Sequence, residues 1–232
     1  MTDIAVIDYG MGNLRSVAKA LEHVAPQLKV VVTGSPDVVA QAERVVFPGQ
    51  GAMPDCMREM DARGLRKTVV ECARSKPFLG ICIGLQMLFD SSEEGGTQGL
   101  GLLPGRVRRF AQEAMVDAKG EKLKVPHMGW NEVYPTLSHP LWEGIASGTR
   151  FYFVHSYYPE PADRRIVAGY SLYPASFTCA AASRNIFAVQ FHPEKSQTAG
   201  LRLLANFVAW RPVATATGNP EPFAGARTLS DL

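Results

Sequence analysis

Residues Phe78 to Gln86 read FLGICIGLQ, an apolar run holding one cysteine, Cys82, between Gly80 and Gly84. Such a thiol is either a small buried hydrophobe or the nucleophile of covalent catalysis. Strand, then Gly-x-Cys-x-Gly, then helix is the layout of a nucleophile elbow, where small neighbours let the chain turn sharply. The turn would set the sulfur at a strand's carboxyl end and a helix N-terminus, whose dipole favours thiolate. It would also aim the backbone N–H of Ile83 at a forming oxyanion.

A nucleophile needs a base. AVQFHPEKS (188–196) ends an apolar run at His192-Pro193-Glu194. Residues two apart on an extended chain share a side. Glu194 could then accept from one imidazole nitrogen and leave the other free to act on a thiol. The competing reading is a surface turn at a strand end, stopped by Pro193. A third element, PGQG (48–51), follows another strand and offers backbone N–H groups as a second oxyanion donor; PG turns are common, so alone it says little.

These residues need elements to hold them. IAVID (4–8), LKVVVT (28–33), RVVFP (44–48) and KPFLGI (76–81) read as strands. Between them, helical spacing recurs at Leu14, Val17, Leu21 and Val24 behind an Asn13 cap, after Ser35-Pro36, and twice within 53–75. A helix is expected after Cys82. Strands alternating with helices imply a parallel sheet covered on both faces. In the second half, segments near 106–110, 128–134, 150–155, 166–172, 176–182 and 186–191 look extended. The fold expected is α/β, a mostly parallel central sheet flanked by helices with added antiparallel strands. A last helix, capped by Ser196, would turn Leu201, Leu204, Phe207 and Val208 inward. One domain over 1–210 and a flexible tail over 211–232, rich in Pro, Gly, Ala and Thr, complete the expectation. Open α/β sheets bind ligands at strand carboxyl ends, where Cys82 and His192 both fall.

The chain has 232 residues, 46% hydrophobic and 9% aromatic, enough for a globular core. A net charge of +2 gives no reason to invoke nucleic acid or a membrane surface. The densest basic cluster, RVRRF (Arg106, Arg108, Arg109), reads as a solvated strand face. No apolar run reaches ~18 residues, so no membrane span is expected. The start carries an acid and no basic segment, unlike a secretory signal. Four cysteines without a CxxC pair suit free thiols in a cytoplasmic protein. Cys56, Cys72 and Cys179 read as core, and His127 and His155 as structural. No metal site and no cofactor are expected.

GICIGLQ, the distant HPE and the upstream PGQG together resemble the class I glutamine amidotransferases. IDYGMGNLRS (7–16), PHMGWN (126–131), FYFVHSYY (151–158) and QFHPEKS (190–196) resemble, within that family, the glutaminase subunits of imidazole glycerol phosphate synthases. The similarity runs over about residues 3–209, nearly the whole chain except the tail. It implies hydrolysis of glutamine to glutamate and ammonia, with ammonia passed to a (βα)8-barrel cyclase subunit in histidine biosynthesis. It assigns Cys82 as nucleophile, His192 as general base and acid, Glu194 as its orienting partner, and the N–H groups of Gln50 and Ile83 as oxyanion donors. Glutamine contacts fall on Gly49, Gly51, Gln86, Glu94 and the backbone at Ser156 and Tyr157. Barrel contacts fall on Asn13, Trp130, Tyr152 and Lys195. Many members have PGVG where this chain has PGQG, but any non-proline residue supplies an N–H. Alternatives are the glutaminase half of an anthranilate or aminodeoxychorismate synthase, a γ-glutamyl hydrolase-like enzyme, or a silent docking module. HMGWN, Lys195, Gln86 and the intact Cys, His and Glu speak against these in turn.

Overall fold

The computed structural model describes residues 2–111, 115–116 and 120–212; of the expected tail, 213–232 lie outside the described residues. The first half alternates β1 (Ile4–Ile7), α1 (Leu14–Val24), β2 (Val30–Thr33), α2 (Pro36–Gln41), β3 (Arg44–Gly49), α3 (Met53–Ala62), α4 (Arg66–Ser75) and β4 (Phe78–Cys82). β1, β3 and β4 are buried at every position, which is why their sequences lack polar alternation. After a single-turn α5 (Ile83–Gln86) come β5 (Phe89–Ser92), β6 (Thr97–Gln98), β7 (Leu103–Arg109), β8 (His127–Pro135), β9 (Thr149–His155), β10 (Tyr157–Pro161), β11 (Val167–Leu172), β12 (Ser176–Ser183) and β13 (Ile186–Val189), then α6 (Gln197–Ala209).

Nine strands form one mixed sheet in the order β2-β1-β3-β4-β13-β12-β11-β8-β9. Pairing is parallel from β2 to β13 and antiparallel from β13 to β9. β13, near the end of the chain, is thus inserted beside β4, with Val189 opposite Ile81. That register brings the carboxyl ends of β4 and β13 together. A second, four-stranded sheet runs in the order β10-β7-β5-β6, with β10 packed against β12 and α5. On it, Arg106 and Arg108 pair with Glu160, so the basic cluster is a solvated, ion-paired face.

Several local expectations change. The helix after Cys82 is only four residues long. β5, β6 and β10 were not anticipated, because Phe89-Asp-Ser-Ser and Tyr157-Tyr-Pro-Glu-Pro carry no clear apolar alternation. Asn13, Ser35 and Ser196 occupy N-cap positions but make no side-chain cap bonds. Ser196 instead donates to the His192 carbonyl at 2.6 Å and accepts from the Tyr152 N–H at 3.0 Å. On α6 the buried stripe is Gly200, Leu203, Leu204 and Phe207, while Leu201 and Val208 are half-buried. The close approach of Gly200 to the Pro193 carbonyl sets that rotation of the helix.

Candidate active site

β4 ends at Cys82 in a left-handed conformation, φ 57° and ψ −111°. Such a backbone costs a non-glycine residue on the order of 1–3 kcal/mol and marks a turn held by its surroundings. Gly84 shows why the neighbours are small: a Cβ there would stand 1.8 Å from the Phe47 carbonyl oxygen on β3. At Gly80 it would meet Ala188 Cβ on β13 at 2.9 Å. The sequence thus packs the elbow against both flanking strands.

His192 follows β13 and is 4% exposed. Its Nδ1–H donates to Glu194 Oε1 at 2.8 Å. The expected contact is present, but through a 3-10 turn over Pro193–Lys195 rather than an extended chain. Its Nε2 is buried without a hydrogen-bond partner. Burial opposes protonation of this ring, yet the charge and proximity of Cys82 and the bond to Glu194 outweigh it, and its pKa is pushed up to about 10.

Cys82 and His192 line one cavity of about 310 Å³. Gln50, Gly51, Ile83, Gln86, Glu94, Ser156 and Tyr157 line it too, so nearly the whole expected constellation converges. Gly49 does not: it pairs with Cys82 across β3 and β4, and a Cβ there would meet Tyr9 Oη at 2.6 Å. Glu94 Oε2 accepts from Met53 N at 2.8 Å, capping α3 from a distance where Ala52 has no side chain to do so. The Tyr157 carbonyl is taken by Gln86 and His155. Tyr9 donates to the Pro48 carbonyl at 2.8 Å and the Cys56 thiol to the Gln50 carbonyl at 3.5 Å, bracing the loop.

Sequence reasoning assigned no site role to Gln190, Tyr9, Pro126, Val154 or His155. Gln190 is fully buried and its Nε2 lies 3.7 Å from Cys82 Sγ. A lone polar residue inside the apolar run AVQF was the available signal. His127 and His155 are buried and joined at 2.9 Å, and His155 also lines the cavity.

Trp130, Tyr152 and Lys195 form one patch. Trp130 and Tyr152 are opposite each other on β8 and β9, with ring centroids 6.2 Å apart, and Lys195 Nζ sits 5.8 Å from the Tyr152 ring. Asn13 opens α1, which packs against the same turn as Lys195. Met128, unforeseen, is 62% exposed beside Trp130.

Burial pushes His127 and His139 down to about 4. Burial, and then the neighbouring His127, push His155 down to about 3. The unfolded chain takes up these protons near ~6.5. Their stabilisation is therefore full above that pH and lost as pH falls toward 4 and then 3, at up to about 1.4 kcal/mol per pH unit for each ring. Urea unfolding should give a clearly lower midpoint at pH 5 than at pH 7; equal midpoints contradict this.

Residues 5–210 match the family model described as glutamine amidotransferase class-I. A protein of Nitrosospira multiformis named imidazole glycerol phosphate synthase subunit HisH is 70% identical, over 92% of this chain and all of that one. The protein of the same name from Thiobacillus denitrificans is 69% identical over 90% of this chain and 92% of its own length. Among solved structures, a glutamine amidotransferase aligns with TM-score 0.65 at 18% identity, covering 89% of this chain and 97% of that one. The glutaminase domain of Trypanosoma brucei CTPS with bound acivicin aligns with TM-score 0.61 at 15% identity, covering 95% and 100%. At such identities these two carry the fold alone. No described helix is long and apolar enough to cross a membrane. With its family model spanning almost all the described residues and its relatives matched over at least 90% of its length, the chain belongs to the class I glutamine amidotransferases.

Proposed function

We propose that this chain is the glutaminase subunit of an imidazole glycerol phosphate synthase. Cys82 attacks the side-chain amide carbon of glutamine. The observation that carries this reading is one cavity holding a sulfur on a left-handed elbow and an imidazole fixed at Nδ1 by Glu194, with Nε2 unclaimed.

The chemistry follows from that arrangement. His192 takes the thiol proton at Nε2 as the sulfur adds to the amide carbon, and the oxygen takes negative charge near the backbone N–H groups of Ile83 and the Gln50–Gly51 loop. The tetrahedral species collapses as the protonated His192 gives its Nε2 proton to the departing nitrogen, releasing ammonia and leaving a glutamyl thioester. Water then adds to the thioester. His192 takes its proton, glutamate leaves and the sulfur is restored. Glu194 keeps the imidazole in one orientation through both steps. Gln86 and Glu94 line the cavity in which a bound amino acid would lie.

Ammonia released into neutral water is protonated and loses its nucleophilic lone pair. A partner that takes it directly avoids that loss. The exposed Trp130 and Met128, with Tyr152 and Lys195, give such a partner an apolar surface with one cation. The relatives are named as subunits of imidazole glycerol phosphate synthase, and the partner we propose for this chain is a (βα)8-barrel cyclase. It would join the ammonia to a phosphoribulosyl formimino aminoimidazole carboxamide ribotide, giving imidazole glycerol phosphate and an aminoimidazole carboxamide ribotide. The test is glutamine hydrolysis by the isolated chain and by the chain mixed with cyclase and its ligand. Turnover should rise about tenfold or more on mixing, with glutamine-dependent cyclisation. Equal rates, or no cyclisation, reject the reading.

A further inference from the structure

We propose that Gln190 is a catalytic hydrogen-bond donor to the Cys82 sulfur, aimed by an amide relay anchored on the backbone carbonyl of Tyr157. This rests on the reading of Cys82 as the glutaminase nucleophile.

The donor directions are fixed by elimination. A carbonyl oxygen only accepts. Gln86 therefore turns its Nε2 to the Tyr157 oxygen, at 3.1 Å. The second hydrogen on that nitrogen points to Gln190 Oε1, also at 3.1 Å. Gln190 then has only its Nε2 to present to Cys82 Sγ, 3.7 Å away, a length suited to a large sulfur acceptor. Turning Gln190 alone sets nitrogen against nitrogen at Gln86. Turning both sets oxygen against oxygen at Tyr157. Gln190 is 0% exposed and Gln86 1%, so water cannot rescue a wrong arrangement.

The same carbonyl fixes a second branch. His155 Nδ1 lies 2.8 Å from the Tyr157 oxygen and so carries the hydrogen. Its Nε2 must accept, and His127 Nδ1 donates to it at 2.9 Å. His127 Nε2 in turn accepts from Asn131 Nδ2 at 3.2 Å. Asn131 adjoins the exposed Trp130 on β8. The carbonyl that aims Gln190 is thus tied, through two neutral rings, to the strand carrying that patch.

A donor at the sulfur favours the thiolate, the attacking species, over the thiol. Its removal should slow attack and leave glutamine binding largely intact. Gln190→Met keeps volume and loses the donor; Gln190→Glu keeps shape and replaces the donor with a carboxylate. In the full chain with its cyclase partner, Gln190→Met should lower kcat about tenfold or more and change KM for glutamine less than about threefold. Iodoacetamide alkylation of Cys82, followed by mass spectrometry of the full chain at pH 7, should slow about tenfold, and further in Gln190→Glu. Wild-type rates of turnover and alkylation in both variants overturn the proposal and leave the glutaminase reading standing. A wild-type chain whose Cys82 does not react removes the glutaminase reading and this inference with it. Nitrogen-15 NMR of the wild-type chain tests the relay without any variant. His127 and His155 should both carry hydrogen on Nδ1, and a His155 protonated on Nε2 overturns the anchor.

Discussion

Cys82→Ala should abolish glutamine hydrolysis, lowering kcat by on the order of 10⁴ or more, since the remaining groups of a nucleophilic site retain little catalysis without the attacking atom. The fold should survive. Alanine keeps the Cβ and removes one buried sulfur at a position already in the left-handed region, φ 57°, so stability should change by about 1 kcal/mol or less. The variant should still bind the cyclase, and the complex should still cyclise when ammonium salts replace glutamine. Those two controls separate loss of the nucleophile from loss of structure. Residual hydrolysis within tenfold of wild type would place the nucleophile elsewhere. Cys82→Gly, equally inactive, should be no less stable than the alanine variant, because glycine tolerates the left-handed turn without penalty.

Gly84→Ala should have the largest effect on folding of any change that adds one carbon near the site. The new methyl would stand 1.8 Å from the Phe47 oxygen and 2.9 Å from its carbonyl carbon. Both are backbone atoms of β3, a central strand paired on each side, so neither can swing away as a side chain would. Either α5 lifts off the sheet, dragging the elbow with it, or β3 shifts. A cost of about 3 kcal/mol or more is expected, which in a domain of this size lowers Tm by roughly 6–12 °C. Gly64→Ala is the matched control. Nothing lies within 4 Å of its Cβ position, and only φ +66° opposes the substitution. It should cost about 1 kcal/mol. A Gly84→Ala protein that melts within 2 °C of wild type would show that the elbow is not wedged against β3.

The parallel half of the sheet was legible in the sequence because its strands are buried on both faces and read as unbroken apolar runs, as in IAVI and FLGIC. The elbow was legible because glycine on both sides of a cysteine has few other uses. Other features depend on the fold rather than on local pattern. Nothing near Ser196 says that its hydroxyl ties β9 to the turn at His192 instead of capping α6. Glu94 was expected at the ligand, and its cavity position fits, but its bond to Met53 N fills a cap that only tertiary structure leaves open. The apolar spacing of GLQML suggests that the helix runs on, whereas the chain leaves it after one turn to start β5 in a second sheet. Gln190, Gln86 and His155 are distant in sequence, and no periodicity links them; the Tyr157 carbonyl does.

The placement of β13 between β4 and β12 has a further consequence. During translation the elbow leaves the ribosome long before its histidine has been made. Until the last strand slots into the middle of the sheet, β4 lacks one edge partner and the sulfur lacks its proton carrier. A growing polypeptide that has not yet reached His192 therefore holds the elbow without the group that moves its protons.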